Sequence, residues 1–263
     1  MSALRRNNVT VHGHGSRTIL FAHGYGCDQR MWRHVAPAFL DARRVVTFDH
    51  VGACTTDPSH YSAAKYGTLH GYAADLLEIV RALGLPRVTF VGHSVSAMIG
   101  LLAAVSHPEY FERLVLLAPS PCYVNDGDYR GGFEPHAIDG LLASMETDYD
   151  GWARAMAPVI MGNPDRPELA EELRESFCRS EPTIAKHFGR VTFLSDHRDA
   201  VPRLQVPSLT LQCRDDAVAP LEVGRWMHAR MPADTLIRME ANGHCPHVSA
   251  PAETIAAIRG FLG

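Results

Sequence analysis

The sequence has no excess of charge of either sign and no long apolar run. It carries 25 lysine and arginine residues against 29 aspartate and glutamate residues, with both signs interspersed and a formal net charge of −4. Nucleic-acid-binding proteins present a basic face, which this distribution does not provide. The longest apolar run, residues 97–105, is interrupted by Gly100 and is far shorter than the roughly 20 residues of a membrane-spanning helix. We therefore expect neither nucleic acid nor a membrane as a partner.

Paired cysteines at close spacing are also missing. The sequence contains six cysteines without any C-x-x-C spacing: Cys27, Cys54, Cys122, Cys178, Cys213 and Cys245. A chain of this length buries enough apolar surface to fold without disulfides, so the pattern predicts free thiols in a reducing cytoplasm. Arg5 and Arg6 lie near the N-terminus, but no apolar segment follows them, which predicts no secretory signal.

Strand-like and helix-like segments alternate through the first part of the chain. Runs rich in apolar and β-branched residues predict strands at residues 9–12, 18–22, 44–49, 88–91 and 114–118. The apolar residues of 69–83 recur at the helical period, and residues 32–40 are predicted to form an amphipathic helix. The first two strands are predicted to pair as an antiparallel hairpin at a sheet edge. Helices between the later strands predict a mostly parallel, doubly wound α/β sheet.

The alternation stops between residues 122 and 199. Four helical segments are predicted there and no strand, and Pro167 and Pro182 stand where two of the helices would begin. An insertion of this size has difficulty closing a core of its own, so we predict a helical lid rather than a second autonomous domain. Residues 1–121 and 200–263 are then the two parts of one core, with late strands at 208–212 and 235–239.

A strand, a sharp turn and a helix meet at Ser94. Residues 88–91 end at Gly92, and small and apolar residues at helical spacing follow the serine. Such a corner strains the backbone of the serine and needs small residues two positions before and after it, here Gly92 and Ser96. Although G-x-S-x-G-like strings also arise by chance, the flanking strand and helix indicate a nucleophile elbow with Ser94 as the nucleophile.

The nucleophile needs a base and an acid. A serine hydroxyl is activated by a neighbouring histidine, and an α/β-hydrolase sheet places the acid after a late strand and the histidine after the last strand. His244 follows the strand at 235–239, and both Asp215 and Asp216 follow the strand at 208–212. Chain order therefore selects His244 as the base and leaves the two aspartates open as the acid.

The loop His23-Gly24-Tyr25-Gly26 follows the strand at 18–22. A tetrahedral oxyanion needs two backbone N–H donors, one after the nucleophile and one from the loop after the neighbouring strand. Val95 and Tyr25 occupy those positions, and the glycines beside Tyr25 allow its amide to turn inward. The alternative is that this loop is an ordinary strand-to-helix turn that donates no hydrogen bond to an oxyanion.

The remaining histidines have structural explanations. His93 precedes Ser94, and because its side chain is expected to point away from the serine we interpret it as a packing residue. Two histidine pairs lie close in sequence, His12 with His14 and His244 with His247. Neither pair has a second set of ligands at a recognisable spacing, so we predict no metal site and no cofactor.

Four longer strings extend the pattern beyond the elbow, and those in the predicted lid are far more specific than the elbow itself. They are residues 24–29, 92–100, 119–126 together with 131–134, and 243–247. They resemble the RsbQ-type α/β-hydrolases, bacterial energy-stress regulators related to the plant karrikin and strigolactone receptor hydrolases, and the likeness runs from about residue 8 to the C-terminus. The resemblance implies a triad of Ser94, Asp216 and His244, with Tyr25 and Val95 as oxyanion donors. It favours Asp216 because that residue stands four positions before Pro220, and it leaves Asp215 as the second choice.

The sequence departs from that family in two places. Residues 51–56 read Val-Gly-Ala-Cys-Thr-Thr where the family usually has Val-Gly-Ser-Gly, and this loop is expected at the rim of the site. Tyr25 stands where phenylalanine is commoner, which we expect to add a hydroxyl at the pocket mouth. Substrate preference is therefore expected to differ, while chemistry at Ser94 is retained.

The combined prediction is a cytoplasmic serine hydrolase of small apolar esters or lactones that works through an acyl-enzyme. Trp152, Phe193 and Val218 are the predicted substrate-binding residues beneath the lid. The resemblance also implies a PAS-containing phosphatase as a protein partner, so the alternative is a ligand-responsive signalling protein in which hydrolysis is incidental. A serine nucleophile excludes dehalogenase chemistry, which needs a carboxylate, and leaves a perhydrolase side activity open.

Overall fold

Seven strands form one sheet in the computed structural model, which describes residues 2–53 and 55–263. The strands are β1 (Thr10–His12), β2 (Arg17–Ala22), β3 (Arg43–Phe48), β4 (Val88–His93), β5 (Phe111–Leu117), β6 (Ser208–Gln212) and β7 (Asp234–Arg238). Their order is β1-β3-β2-β4-β5-β6-β7, in which β1 is antiparallel to β3 and the other neighbours run parallel. The mostly parallel α/β sheet predicted from the sequence is confirmed.

The helices lie on both sides of this sheet and in one long connection. They are α1 (Ala3–Arg6), α2 (Leu69–Ala82), α3 (Val95–Ser106), α4 (Pro135–Thr147), α5 (Tyr149–Met161), α6 (Pro167–Cys178), α7 (Pro182–Phe193), α8 (Leu221–His228), α9 (Pro246–Ser249) and α10 (Pro251–Leu262). We call α4–α7, which stand between β5 and β6, the four-helix segment. Pro167 and Pro182 begin α6 and α7, where the fixed φ of proline suits the first helical turn. Within the described residues, no helix has the length and apolar character that crossing a bilayer requires.

The central strands are buried on both faces. Every residue of β4 is buried, and Phe90 on one face packs in the same core as Ile99 of α3. On the other face, Val91 packs in a core with Trp32 and with Ile258 of α10. A parallel sheet covered on both faces reads as a continuous apolar run, which explains why the sequence signal for β4 is strong. Loops at the carboxyl ends of these strands are the usual place for a site in such a sheet.

The predicted hairpin between the first two strands is wrong. β1 pairs with β3, with Val11 opposite Val46, and β2 lies on the far side of β3. The chain between β1 and β2 crosses close over the start of β3, where a Cβ on Gly15 would lie 2.4 Å from the Arg43 Cα. Alternating residues therefore predicted two strands, but the partner of β1 comes from a distant segment.

The predicted amphipathic helix at 32–40 is also wrong. Two short 3-10 helices, Gln29–Trp32 and Ala36–Phe39, occupy this region. Pro37 has no N–H to donate to a carbonyl four residues earlier, which disfavours a continuous α-helix here. The apolar residues still face the core, since Trp32 and Phe39 are both buried.

Candidate active site

Ser94 occupies a strained turn between β4 and α3. Its backbone has φ 56° and ψ −123°, a conformation that is sparsely populated for a residue with a side chain. Its N–H donates to the Leu117 carbonyl at 2.8 Å, which fixes the turn to the neighbouring strand. A Cβ on Gly92 would lie 2.5 Å from the Ser96 carbonyl oxygen, so only glycine fits there. The turn therefore has the geometry that a nucleophile elbow requires.

Ser96, which replaces the second glycine of the usual motif, connects the elbow to the loop after β2. Its hydroxyl donates to the His23 carbonyl and accepts a hydrogen bond from His50 Nε2 at 2.6 Å. Burial and the neighbouring His23 lower the pKa of His50 well below its ordinary value, so His50 stays neutral. The serine thus adds two buried contacts that a glycine would lack.

Ser94, His244 and Asp216 form a continuous line of hydrogen bonds. The His244 Nε2 lies 2.7 Å from the Ser94 Oγ, and the His244 Nδ1 lies 2.8 Å from the Asp216 Oδ2. The other carboxylate oxygen of Asp216 accepts from the N–H groups of Val218 and Ala219 at 2.8 and 3.1 Å. Because an ionised carboxylate only accepts, the proton of a neutral His244 sits on Nδ1 and the Nε2 lone pair faces the serine hydroxyl.

Asp215 points away from this line. Its side chain is 75% exposed and pairs with Arg214 at 3.2 Å. Its backbone carbonyl accepts from the Gly243 N–H at 2.7 Å and so helps to fix the loop that carries His244. Of the two aspartates that the residues left open, Asp216 is therefore the one in contact with His244.

Val95 follows Ser94 directly in the chain, and Tyr25 lines the same cavity as Ser94. Val95 is the first residue of α3, and an α-helix leaves the amides of its first turn without partners inside the helix. Tyr25 lies in the loop after β2, where Gly26 adopts φ 66°. A Cβ on Gly26 would lie 2.2 Å from the Phe177 ring, so this loop is packed closely under α6.

Comparison with known proteins identifies the family. Residues 19–258 match the sequence profile of the Alpha/beta hydrolase family. The chain belongs to this family. The predicted α/β-hydrolase fold and the prediction that the protein is an enzyme of that class are both confirmed.

Relatives of this hydrolase include plant proteins. It is 37% identical to a strigolactone esterase of Arabidopsis thaliana over 256 residues, covering 97% of this chain and 96% of the relative. It is 35% identical to Karrikin insensitive 2 receptor CA of Petunia hybrida over 253 residues, covering 96% and 94%. A solved hydrolase from Oleispira antarctica superposes with a TM-score of 0.96 at 38% identity, covering 99% of this chain and 96% of that chain. The predicted relationship to the plant receptor hydrolases is confirmed, and the RsbQ-type assignment stays a prediction.

The sequence predicted the hydroxyl of Tyr25 at the pocket mouth. In the structure this hydroxyl instead lies against two helices of the four-helix segment. It donates to the Ala185 carbonyl of α7 at 2.9 Å and lies 3.4 Å from the Tyr149 hydroxyl of α5. Burial and the nearby Tyr149 raise the pKa of Tyr25 well above its ordinary value, so the group remains a neutral donor. The Ser176 hydroxyl of α6 donates to the Gly26 carbonyl at 2.9 Å. The loop after β2 is thus bonded to two helices of the four-helix segment and contacts a third.

The Ser94 hydroxyl opens into a small cavity of about 30 Å³ under the four-helix segment. Its mostly apolar wall includes Tyr25, Ser94, Tyr123, Phe193, Val218 and His244. Two of the predicted substrate-binding residues, Phe193 and Val218, are therefore in the wall. Trp152 is not, because its ring packs against Tyr25 and Phe177 at centroid distances of 6.1 and 5.3 Å.

Two histidine pairs, His12 with His14 and His244 with His247, lie close enough in sequence to suggest metal ligands. Among the described residues, neither pair belongs to a larger group of metal-ligating side chains. Within the described residues, no three His, Cys, Asp or Glu side chains come together as a metal site. Cys122, Cys178, Cys213 and Cys245 are free thiols, and Cys54 lies outside the described residues.

One contact at the site was missed by sequence reasoning. His93, interpreted above as a packing residue, is fully buried and places its Nε2 2.7 Å from the backbone carbonyl of His244. The two residues are far apart in the chain, so no local pattern could have indicated this contact.

Proposed function

We propose that this hydrolase cleaves small apolar esters or lactones with Ser94, His244 and Asp216 as its catalytic triad. The observation that carries the proposal is the hydrogen-bonded line of the three side chains, with the His244 Nε2 atom 2.7 Å from the Ser94 Oγ. His244 takes the hydroxyl proton as Oγ attacks the carbonyl carbon of the substrate. Asp216 holds the imidazole in the required tautomer and stabilises the cation that forms.

The N–H groups of Tyr25 and Val95 are the proposed donors to the oxyanion of the tetrahedral intermediate. Collapse of that intermediate breaks the bond to the alkoxy oxygen, which receives the proton from His244 and leaves as an alcohol. In a lactone this step opens the ring, and the alcohol remains attached to the acyl group. Water then attacks the acyl-enzyme with His244 as the base, which releases the acid and restores Ser94.

The cavity size favours a small acyl group. A cavity needs about 10–15 Å³ to hold one water molecule, so the cavity next to Ser94 accommodates about two to three water molecules. The apolar walls of Phe193 and Val218 offer few partners for a charged acyl group. We propose that residues 122–199 act as a lid, and that larger esters react only when the four-helix segment moves. Relatives named as strigolactone esterases support the ester and lactone class.

Replacement of Ser94 by alanine tests this function. We expect Ser94→Ala to lower kcat for p-nitrophenyl acetate by about 10⁴-fold or more, since no hydroxyl remains to form the acyl-enzyme. A serine-directed phosphonate should add one adduct to the wild type, seen by intact-mass spectrometry, and none to the variant. Ser106→Ala, at the other end of α3, is the matched control and should behave as the wild type. Unchanged turnover and labelling in Ser94→Ala would refute the triad.

A second proposal is that the protein acts in an RsbQ-like signalling context with a PAS-containing phosphatase as its partner, in the cytoplasm. Relatives named as karrikin-insensitive receptors support a role beyond turnover. The hydrogen bonds between the loop of Tyr25 and helices α6 and α7 supply a physical route, because a ligand larger than the cavity beside Ser94 must displace helices that also face solvent.

Binding to a purified PAS-phosphatase from the same genome tests the signalling proposal. We expect the phosphonate adduct of Ser94 to change the affinity by about fivefold or more, the lower end of typical allosteric coupling. Ser94→Ala treated with the same phosphonate controls for effects of the reagent elsewhere on the protein. Equal affinity of the labelled and unlabelled protein, or no complex with either, would contradict the proposal.

A further inference from the structure

The side chain of His93 joins separate parts of the site. It stands directly before Ser94 at the end of β4 and is 2% exposed. Its Nε2 lies 2.7 Å from the backbone carbonyl oxygen of His244. A carbonyl oxygen only accepts hydrogen bonds, so His93 must carry its proton on Nε2 and a bare lone pair on Nδ1. That Nδ1 has no hydrogen-bond partner among the described residues.

Close packing fixes the ring in this orientation. A Cβ on Gly24 would lie 2.5 Å from the His93 Nδ1, so the loop that carries Tyr25 rests directly on the bare nitrogen. The ring of His247, which is also fully buried, lies 4.3 Å from the His93 ring, and Trp32 packs on His247 at 4.6 Å. The side chain of His93 therefore has no room to rotate away from the carbonyl of His244.

The backbone of His244 is held on both sides. Its N–H donates to the Ile160 carbonyl of α5 at 2.8 Å, and its carbonyl accepts from His93. Gly243, immediately before it, has φ 78° and packs so closely on the Met161 carbonyl that no side chain fits. The position of the His244 imidazole relative to Ser94 is thus set by backbone contacts as well as by Asp216. A misplacement of about 1 Å in a catalytic site can cost roughly 100-fold in rate.

We propose that His93 is a positioning residue, whose Nε2–H holds the carbonyl of His244 and thereby sets the distance from its imidazole to the Ser94 hydroxyl. The inference rests on the triad proposed above. The triad's chemistry requires that the donor to the His244 carbonyl stay uncharged, because a positive charge on His93 would oppose formation of the His244 imidazolium.

The surroundings of His93 keep it neutral. The titratable groups that face it are His247 of α9, His244 in the loop after β7, and His23 in the loop after β2. Burial, and to a smaller extent these histidines, lower the pKa of His93 well below its ordinary value. No carboxylate is among them, and burial outweighs the hydrogen bond to the His244 carbonyl, which by itself would raise the pKa. The ring therefore remains a neutral Nε2–H donor near neutral pH.

Two substitutions separate positioning from packing. His93→Leu keeps an apolar side chain of similar bulk but removes the donor, whereas the amide nitrogen of His93→Gln reaches about as far as Nε2. We expect His93→Leu to lower kcat for p-nitrophenyl acetate by about 30- to 100-fold with little change in KM, and His93→Gln to recover most of that loss. His34→Leu, at an exposed histidine, should behave as the wild type. Equal losses in the Leu and Gln variants, or a Leu variant with unchanged kcat, would overturn the proposal.

NMR of the wild-type protein provides a readout other than catalytic rate. With isotope-labelled histidine, the signals of His93 are those missing from His93→Gln. We expect them to report a neutral ring protonated on Nε2 from about pH 8 down to pH 6, across the range where an ordinary histidine titrates. A proton on Nδ1, or titration within that range, would overturn the proposal. Ser94→Ala in the same kinetic assay identifies the separate case in which the triad itself is wrong.

Discussion

Asp216→Asn is expected to lower kcat for p-nitrophenyl acetate by about 10⁴-fold while changing KM little. Asp216 accepts the Nδ1–H of His244 at 2.8 Å, and its other oxygen is held by two backbone amides. In the variant, the N–H groups of Val218 and Ala219 continue to donate to the side-chain oxygen of the asparagine. Its NH₂ group therefore faces the Nδ1 of His244. His244 then places its proton on Nε2 and cannot accept one from Ser94. Steady-state kinetics with short esters at neutral pH measure the effect.

Asp215→Asn is the matched control for this change. It alters the adjacent residue by the same atoms, but that side chain is largely exposed and paired with Arg214. We expect its kcat to stay within about twofold of wild type, because exposed ion pairs contribute little. A loss at Asp215 as large as that at Asp216 would contradict the assignment of the acid.

Moderate acid is expected to destabilise the fold through three buried histidines, His50, His93 and His247. Burial lowers the pKa of all three, that of His247 to about 3. An unfolded histidine has a pKa of about 6.5, so between that value and the lower folded value the unfolded state binds more protons. Their contribution to stability is complete above the unfolded pKa and is lost as the pH falls. From pH 7 to 5.5 the loss is about 1 kcal/mol for each residue, or roughly 3–4 kcal/mol in total.

Chemical denaturation at a series of pH values measures this dependence. The range from pH 7 to 5.5 lies above the ordinary pKa of carboxyl groups, so aspartate and glutamate contribute little to the slope. His247→Phe should reduce the slope by up to about one third, because it removes one of the three fully buried histidines, while His197, whose pKa burial also lowers, adds a smaller share. A free energy of unfolding that does not change with pH in this range would show that these histidines are not neutral in the folded protein.

Local sequence patterns predicted most of the strands and helices but not all of the connections. β4 has a continuous apolar run and α2 has apolar residues at the helical period, and both appear within a few residues of the predicted bounds. The partner of β1 depends on the close crossing at Gly15, which alternation of side chains does not encode. The segment at 32–40 has helical apolar spacing, but Pro37 removes an amide that an α-helix needs.

The site shows the same division between chain order and tertiary contact. Chain order predicted the contact between Ser94 and His244, because the carboxyl ends of parallel strands meet at one edge of the sheet. It could not decide between Asp215 and Asp216, since adjacent residues in one loop can point in opposite directions. Likewise, the hydrogen bond from His93 to His244 joins segments that are distant in the chain, and only the packed structure brings them together.

The hydrogen bond from the Tyr25 hydroxyl to Ala185 bears on how this hydrolase can diverge. Exchange of the four-helix segment for that of a relative is expected to destabilise the protein unless α7 keeps a carbonyl where the Tyr25 hydroxyl of the loop after β2 donates. An exchanged segment without it would leave a buried hydroxyl unsatisfied, at a cost of about 1–3 kcal/mol. Tyrosine at position 25 and the backbone path of α7 are therefore expected to change together in evolution, and grafted four-helix segments should be designed with both.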